Sequence, residues 1–454
     1  MVGLSVFQPV VALASPPPAA LAAERVAQGV TPARGQPGPI VRQAFDLLMD
    51  RFVIPPNSGT VLNGGLDGAH HFLASKSIQD PLAERPAFTG DRREDWRLFL
   101  PAYDKVSGAL GNAAPREDLD RAMVDGMARS FKEQHTYYLP PELYSRQMAE
   151  LQNQNQFAGI GVLMGPELTI LDVFEDSPAE QAGVMVGDQI LAVNGEAVEG
   201  LEPAQTSSRI RGEAGTSLTL TLRRGSSTTP VVKQLTRAMV SVQWLRSKIL
   251  EGGVGYLQIR QFAIPDALPI FDKAMEKFAE ANIKSLIIDV RTNPGGSVAT
   301  GEEILSRLLP ESRPLFREVD RRRGERTAYT WGDYWERDVP IAVLVNGDSG
   351  SMSEILAAAL QENGAAKVIG TKTAGAVAAA IPWPLSDGSG LLVTVSTITT
   401  PSGRVLNEVG LEPDEVVELD PDQFRVGKDT QLEAALKYVR DEVALRSRAG
   451  QDPR

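Results

Sequence analysis

The 454-residue chain contains no cysteine, which excludes disulfides, thiolate zinc sites and a cysteine nucleophile. Its three histidines, His70, His71 and His135, are too few for a histidine-rich metal site, so no metal is expected. Basic residues are in the minority, 46 Lys+Arg against 58 Asp+Glu for a formal charge of −12. Only Arg321-Arg-Arg-Gly-Glu-Arg326 gathers them. Nucleic acid needs a concentrated basic face and is therefore not an expected partner. No apolar run approaches the ~20 residues of a membrane span. No dinucleotide-type glycine pattern follows a strand, and no cofactor is expected.

What is present suggests several domains. Residues 1–14, MVGLSVFQPVVALA, are a short apolar run ending in Ala12-Leu-Ala14, the small-x-small pattern of a signal-peptidase site. The charged start of a signal peptide is missing, so the run reads as a signal peptide that has lost its beginning. That points to an exported protein of the periplasm or the extracellular cell envelope. Residues 15–39 are rich in Pro, Ala and Gly and read as a disordered spacer.

Residues 40–156 carry helical periodicity, with Val41, Ala44, Phe45, Leu48 and Phe52 on one face and Leu119, Met123, Met127 and Phe131 on another. Asn57-Ser-Gly-Thr, Asn63-Gly-Gly and Arg85-Pro-Ala read as breaks. Residues 157–238 change to short strands separated by Gly, Pro and Asn-Gly turns. From 239 to 425 near-continuous apolar strands alternate with helices, which predicts an α/β unit with a largely parallel sheet closing on Lys367–Gly370 and Leu391–Val395. Residues 426–454 hold a last amphipathic helix, Asp429–Arg446, suited to docking on the core or on another subunit.

One stretch organises this third unit. Val345-Asn-Gly-Asp-Ser-Gly-Ser-Met-Ser-Glu354 is an apolar strand, a small-residue turn and a helix start. A turn of this kind lifts the Ser351 hydroxyl out of the backbone and points free N–H groups at any oxyanion nearby. The same residues also suit a plain helix cap.

Ser177-Pro-Ala-Glu-Gln-Ala-Gly183, Gly187-Asp-Gln-Ile190 and Val193-Asn-Gly195 resemble a PDZ domain. The resemblance implies peptide capture by strand addition, with Gly159, Ile160, Gly161 and Val162 around the carboxylate-binding loop. Asp289-Val-Arg-Thr-Asn-Pro-Gly-Gly296, Gly350-Ser-Met-Ser-Glu354, Thr371-Lys-Thr-Ala-Gly375, Val409-Gly-Leu-Glu-Pro-Asp414 and the Gln134–Tyr144 segment resemble the carboxyl-terminal processing proteases, the S41 serine peptidases. This implies an α+β multidomain protein: a helical N-terminal domain, a PDZ-like domain and an α/β core of the ClpP/crotonase-like type. It also implies protein or peptide substrates with accessible C-termini. The nucleophile would be Ser351, with Met352, Gly295 and Gly296 supplying the oxyanion N–H groups. A homo-oligomer through the helical domain or the C-terminal helix, or an adaptor, would be further partners.

The resemblance breaks at one place. The general base of the family is a lysine supported by a glutamine four residues on, and this chain has Ala376 and Ala380 there. A serine–lysine dyad cannot operate as written. Three explanations stand open: an engineered inactive form, a different base, or a PDZ scaffold that binds peptides without turnover. In the tricorn-like branch the base is a histidine from the segment before the PDZ, a place occupied by His135. Its supporting residue would be Glu408 or Asn407.

Overall fold

The computed structural model describes residues 37–152, 156–241, 243–262, 267–332 and 334–449; the signal-like run and nearly all of the spacer lie outside them. Four helices, Pro39–Arg51, Ser58–Ser75, Arg92–Leu110 and Arg116–Arg129, bury Phe45, Leu62, Phe99, Tyr103, Leu119 and Met123. Asn57 caps the second helix by accepting the Thr60 N–H at 3.1 Å.

Asn63-Gly64-Gly65 does not break the chain, because it lies inside the Ser58–Ser75 helix. A Cβ on Gly64 would lie 2.6 Å from the Gly126 carbonyl, and one on Gly68 would lie 2.1 Å from that of Ala122. The glycines let this helix and Arg116–Arg129 touch backbone to backbone, a contact that outweighs their helix-propensity cost of about 1 kcal/mol each.

The core contains two sheets. The first runs Leu245–Leu250, Val254–Ile259, Ser285–Asp289, Ile341–Val345, Lys367–Gly370, Glu415–Val416, parallel throughout except for its antiparallel first strand. Ile288, Val343 and Val345 face helices Ala267–Glu280, Val298–Leu308 and Met352–Glu362, while Ile287, Ala342 and Leu344 face Ala435 and Val439 of the final helix, Thr430–Ala449. The final helix therefore uses its apolar stripe on its own core. Gly390–Thr399, expected in the parallel sheet, belongs instead to a second, antiparallel sheet with Tyr137–Leu139, Pro314–Asp320, Gly324–Tyr329 and Ala378–Pro384. A continuous apolar run marks a strand covered on both faces and does not say which sheet it joins.

A strand pairing and a shared apolar cluster fuse the helical unit to the core. Tyr137–Leu139 pairs with Gly390–Leu392, and Trp383, Leu385, Leu391 and Val393 share the helical unit's apolar cluster. By contrast, the PDZ unit has a separate core of Ile160, Ile170, Ile190, Val193, Leu218, Leu220 and Leu222. Its entering strand, Gln156–Gly159, pairs antiparallel with its leaving strand, Ala238–Ser241.

Candidate active site

The Ser351 turn and the Asn-Pro-Gly-Gly loop both follow the carboxyl ends of neighbouring parallel strands, Ile341–Val345 and Ser285–Asp289. That is where open α/β sheets place ligands. Ser351 sits at φ 53°, ψ −116° just ahead of the Met352–Glu362 helix. A non-glycine residue in that region is strained by roughly 1–3 kcal/mol, so neighbours must enforce it. They do so through the loop: Gly350 N–H and Ser353 Oγ both donate to the Asn293 carbonyl, at 3.0 and 2.9 Å. Ser349 Oγ donates to the Val290 carbonyl at 2.8 Å.

The loop approaches the turn so closely that a Cβ on Gly295 would lie 2.5 Å from the Ser351 Cβ and 3.0 Å from the Met352 nitrogen. Gly295 is nonetheless not an oxyanion donor here, because its N–H donates to Asn293 Oδ1 at 2.9 Å. The N–H groups of Gly296 and Met352 have no acceptor among the described residues. Free backbone donors beside a serine hydroxyl suit a carbonyl turning into an oxyanion.

Glu354 joins this turn to the segment that carries Ala376. Its fully buried carboxylate accepts the Ser351 N–H at 3.0 Å, the Thr373 hydroxyl at 2.5 Å, and the N–H groups of Gly375 and Ala376 at 2.8 Å each. Burial pushes its pKa up while those donors pull it back, with a net rise. Four donors around it call for the ionised carboxylate. Spacing alone does not single out this role of Glu354; its signal in the sequence is the Ser-x-x-Glu capping pattern. Farther back, Arg291 is anchored to Asp289 at 2.7 Å and to Asp429 at 2.8 Å, which fixes the loop's first residues against the start of the final helix.

The Ala376 Cβ lies 3.7 Å from where a Cβ on Gly350 would begin, next to the Ser351 turn. Ala380 is buried with Leu139 and Leu392 under Tyr137 and Tyr144. Lys372 points away, into an exposed pair with Glu412 at 2.7 Å. His135 is buried, and its Nε2 meets Asn407 Oδ1 at 3.1 Å. Asn407, not Glu408, is thus the neighbour of the ring. Glu408 is exposed at φ 61°, its N–H donating to the Gly375 carbonyl. Among the described residues, no hydrogen bond joins His135 to Ser351.

In the PDZ unit the carbonyls of Ile160 and Gly161 accept the N–H groups of Ala179 and Phe174, at 2.8 and 2.9 Å, and Gly161 has φ 80°. Val162–Met164 pairs on one edge with Ile170–Val173, and no described strand pairs with its other edge.

Peptidase family S41 matches residues 253–417 and a PDZ domain matches residues 169–224. A carboxyl-terminal-processing protease of Synechocystis sp. is 31% identical over 370 residues, 79% of this chain and 84% of the relative. The carboxy-terminal processing protease CtpB of Bacillus subtilis is 30% identical over 342 residues, 74% of this chain and 70% of the relative. Among solved structures, a photosystem II D1 C-terminal processing protease shares the fold at TM-score 0.52 and 22% identity, covering 90% of this chain and 98% of the other.

Proposed function

Because this chain belongs to the carboxyl-terminal processing proteases of peptidase family S41, we propose that it is a serine endopeptidase whose nucleophile is Ser351. The PDZ unit would take a protein C-terminus or an unfolded segment onto the free edge of Val162–Met164. Ser351 would then attack the scissile carbonyl, and the N–H groups of Gly296 and Met352 would hold the oxyanion of the acyl-enzyme step. The observation that carries this reading is the strained Ser351 turn packed against Gly295, with the N–H groups of Gly296 and Met352 uncommitted among the described residues.

The base in this reading is His135. With Nε2–H donating to Asn407 Oδ1, the ring keeps Nδ1 as its basic nitrogen, the tautomer that a proton acceptor needs. Ala376 and Ala380 favour a second reading, in which the chain captures protein tails and does not cleave them. A fluorescent serine-directed phosphonate separates the two. Labelling that disappears in Ser351→Ala supports the peptidase, and an unlabelled wild type leaves the capture function.

The apolar run at residues 1–14 supports export to the cell envelope. No helix among the described residues is long and apolar enough to cross a membrane. With the final helix committed to its own core, a homo-oligomer or an adaptor contact would fall to the helical N-terminal unit.

A further inference from the structure

We propose that Arg260 is a positioning residue for the oxyanion loop, and that the PDZ unit holds it in place through Asp172. Arg260 directly follows the Val254–Ile259 strand. Its Nε donates to Asp172 Oδ2 at 2.9 Å, its Nη2 donates to the same oxygen, and its Nη1 donates to the Gln243 carbonyl at 2.9 Å. The guanidinium lies 5.0 Å from the centre of the Phe174 ring. Both partners are buried, with side chains 9% and 7% exposed. A pair this desolvated is costly to break, because the remaining charge is left without compensation.

The main chain on either side of Arg260 grips the loop. The Ile259 carbonyl accepts Asn293 Nδ2 at 2.8 Å, and the Phe262 N–H donates to the Gly295 carbonyl at 2.8 Å. The Phe262 carbonyl in turn accepts the Ser297 N–H at 3.2 Å. These three bonds bracket Gly296, and Arg260 stands between the two residues that make them.

On the PDZ side, Asp172 lies opposite Leu163 in the antiparallel pair of Val162–Met164 with Ile170–Val173. A peptide adding a strand to the free edge would therefore lie one strand away from Asp172. Asp172 also has a second cation near it, Arg246 at 3.8 Å, which pairs with Glu175 at 3.3 Å. The carboxylate thus has two discrete partners to divide between, which is the kind of element through which two sites can bias each other.

The inference rests on Gly296 as an oxyanion donor, and its test reads the loop directly whether or not Ser351 turns over. Hydrogen–deuterium exchange on the full chain compares wild type with Asp172→Asn, Arg260→Ala and Arg260→Lys. Segment 293–297 should exchange about tenfold faster in Asp172→Asn and Arg260→Ala. The PDZ strands 217–236 and the helix 352–362 should keep their wild-type rates. Arg260→Lys, whose ammonium can still pair with Asp172, should lie closer to wild type. Unchanged protection at 293–297 in Asp172→Asn would overturn the proposal, as would acceleration spread evenly over PDZ and core. Phosphonate labelling of the wild type tests catalysis separately.

Discussion

Ser351 and Ala376 donate their backbone N–H groups to one oxygen, Oε2 of Glu354, at 3.0 and 2.8 Å. The separation between Ser351 and Ala376 is thus set by main chain and a third residue. It does not depend on the side chain at 376, because the donor there is main chain.

A lysine returned to that frame should activate the serine. Ala376→Lys is expected to raise the rate of phosphonate labelling at Ser351 by about 10²–10⁴-fold, the contribution typical of a positioned base. Stopped-time labelling of both proteins checks it, and equal rates would mean that the frame is not the one the family uses.

Glu354→Gln should undo the frame. The amide presents two donors of its own where four donors already converge. Global stability is expected to fall by about 2–3 kcal/mol, the scale of hydrogen bonds to a buried charge. Urea titration measures the loss, and labelling of Ala376→Lys/Glu354→Gln should drop back toward the parent.

If His135 is the base, Asn407 acts through the tautomer it selects. His135→Ala should lower wild-type labelling by about 10²–10⁴-fold. Asn407→Ala should have a smaller effect in the same direction, and Glu408→Ala should leave the rate near wild type. A rate indifferent to His135 would remove it from the mechanism.

A pH-dependent stability is expected from the helical unit. Burial pushes Asp120 up from 3.8 to about 6, although Tyr103 donates to it at 2.7 Å and Gly38 N–H at 3.1 Å. With its folded pKa above the unfolded value, the folded chain binds a proton that the unfolded chain releases. Stability should therefore fall as pH rises from about 4 through 6, by up to about 3 kcal/mol. Urea midpoints measured across that range should show the slope, and Asp120→Asn should flatten it.

The glycine contact makes a sharper demand. Gly68→Ala places a methyl 2.1 Å from the Ala122 carbonyl, and the two helices can accommodate it only by moving apart. A loss of about 1–3 kcal/mol is expected, seen as a lowered melting temperature, whereas alanine at exposed Gly108, with nothing near it, should be neutral or stabilising.

The strand, turn and helix start around Ser351 were legible because they are local. Ser351, Gly296 and Met352 lie in short stretches whose residue types already dictate turn, strand and helix start. The relations between stretches were not legible. Gly64 and Gly65 look like a break until the facing helix, with Gly126 and Met127 against them, supplies the reason for them. The commitment of Gly295's N–H to Asn293, and the choice of Asn407 over Glu408 as the imidazole's neighbour, depend on side-chain directions that spacing does not encode. Gly390–Thr399 has the same apolar run whichever sheet it joins.

The pairing of Gln156–Gly159 with Ala238–Ser241 has a topological consequence. The PDZ unit is an insertion whose two tethers are zipped into a single two-stranded stalk, so its chain leaves and re-enters the rest of the molecule at one point. Swinging about that stalk requires no separation of the helical unit from the core, which remain one cooperative body through Tyr137–Leu139 and Trp383. Sequence order places the module in the middle of the protein, and beyond the stalk it is tied to the core by the Asp172–Arg260 and Glu167–Arg425 ion pairs, so a swing about the stalk has to break those pairs.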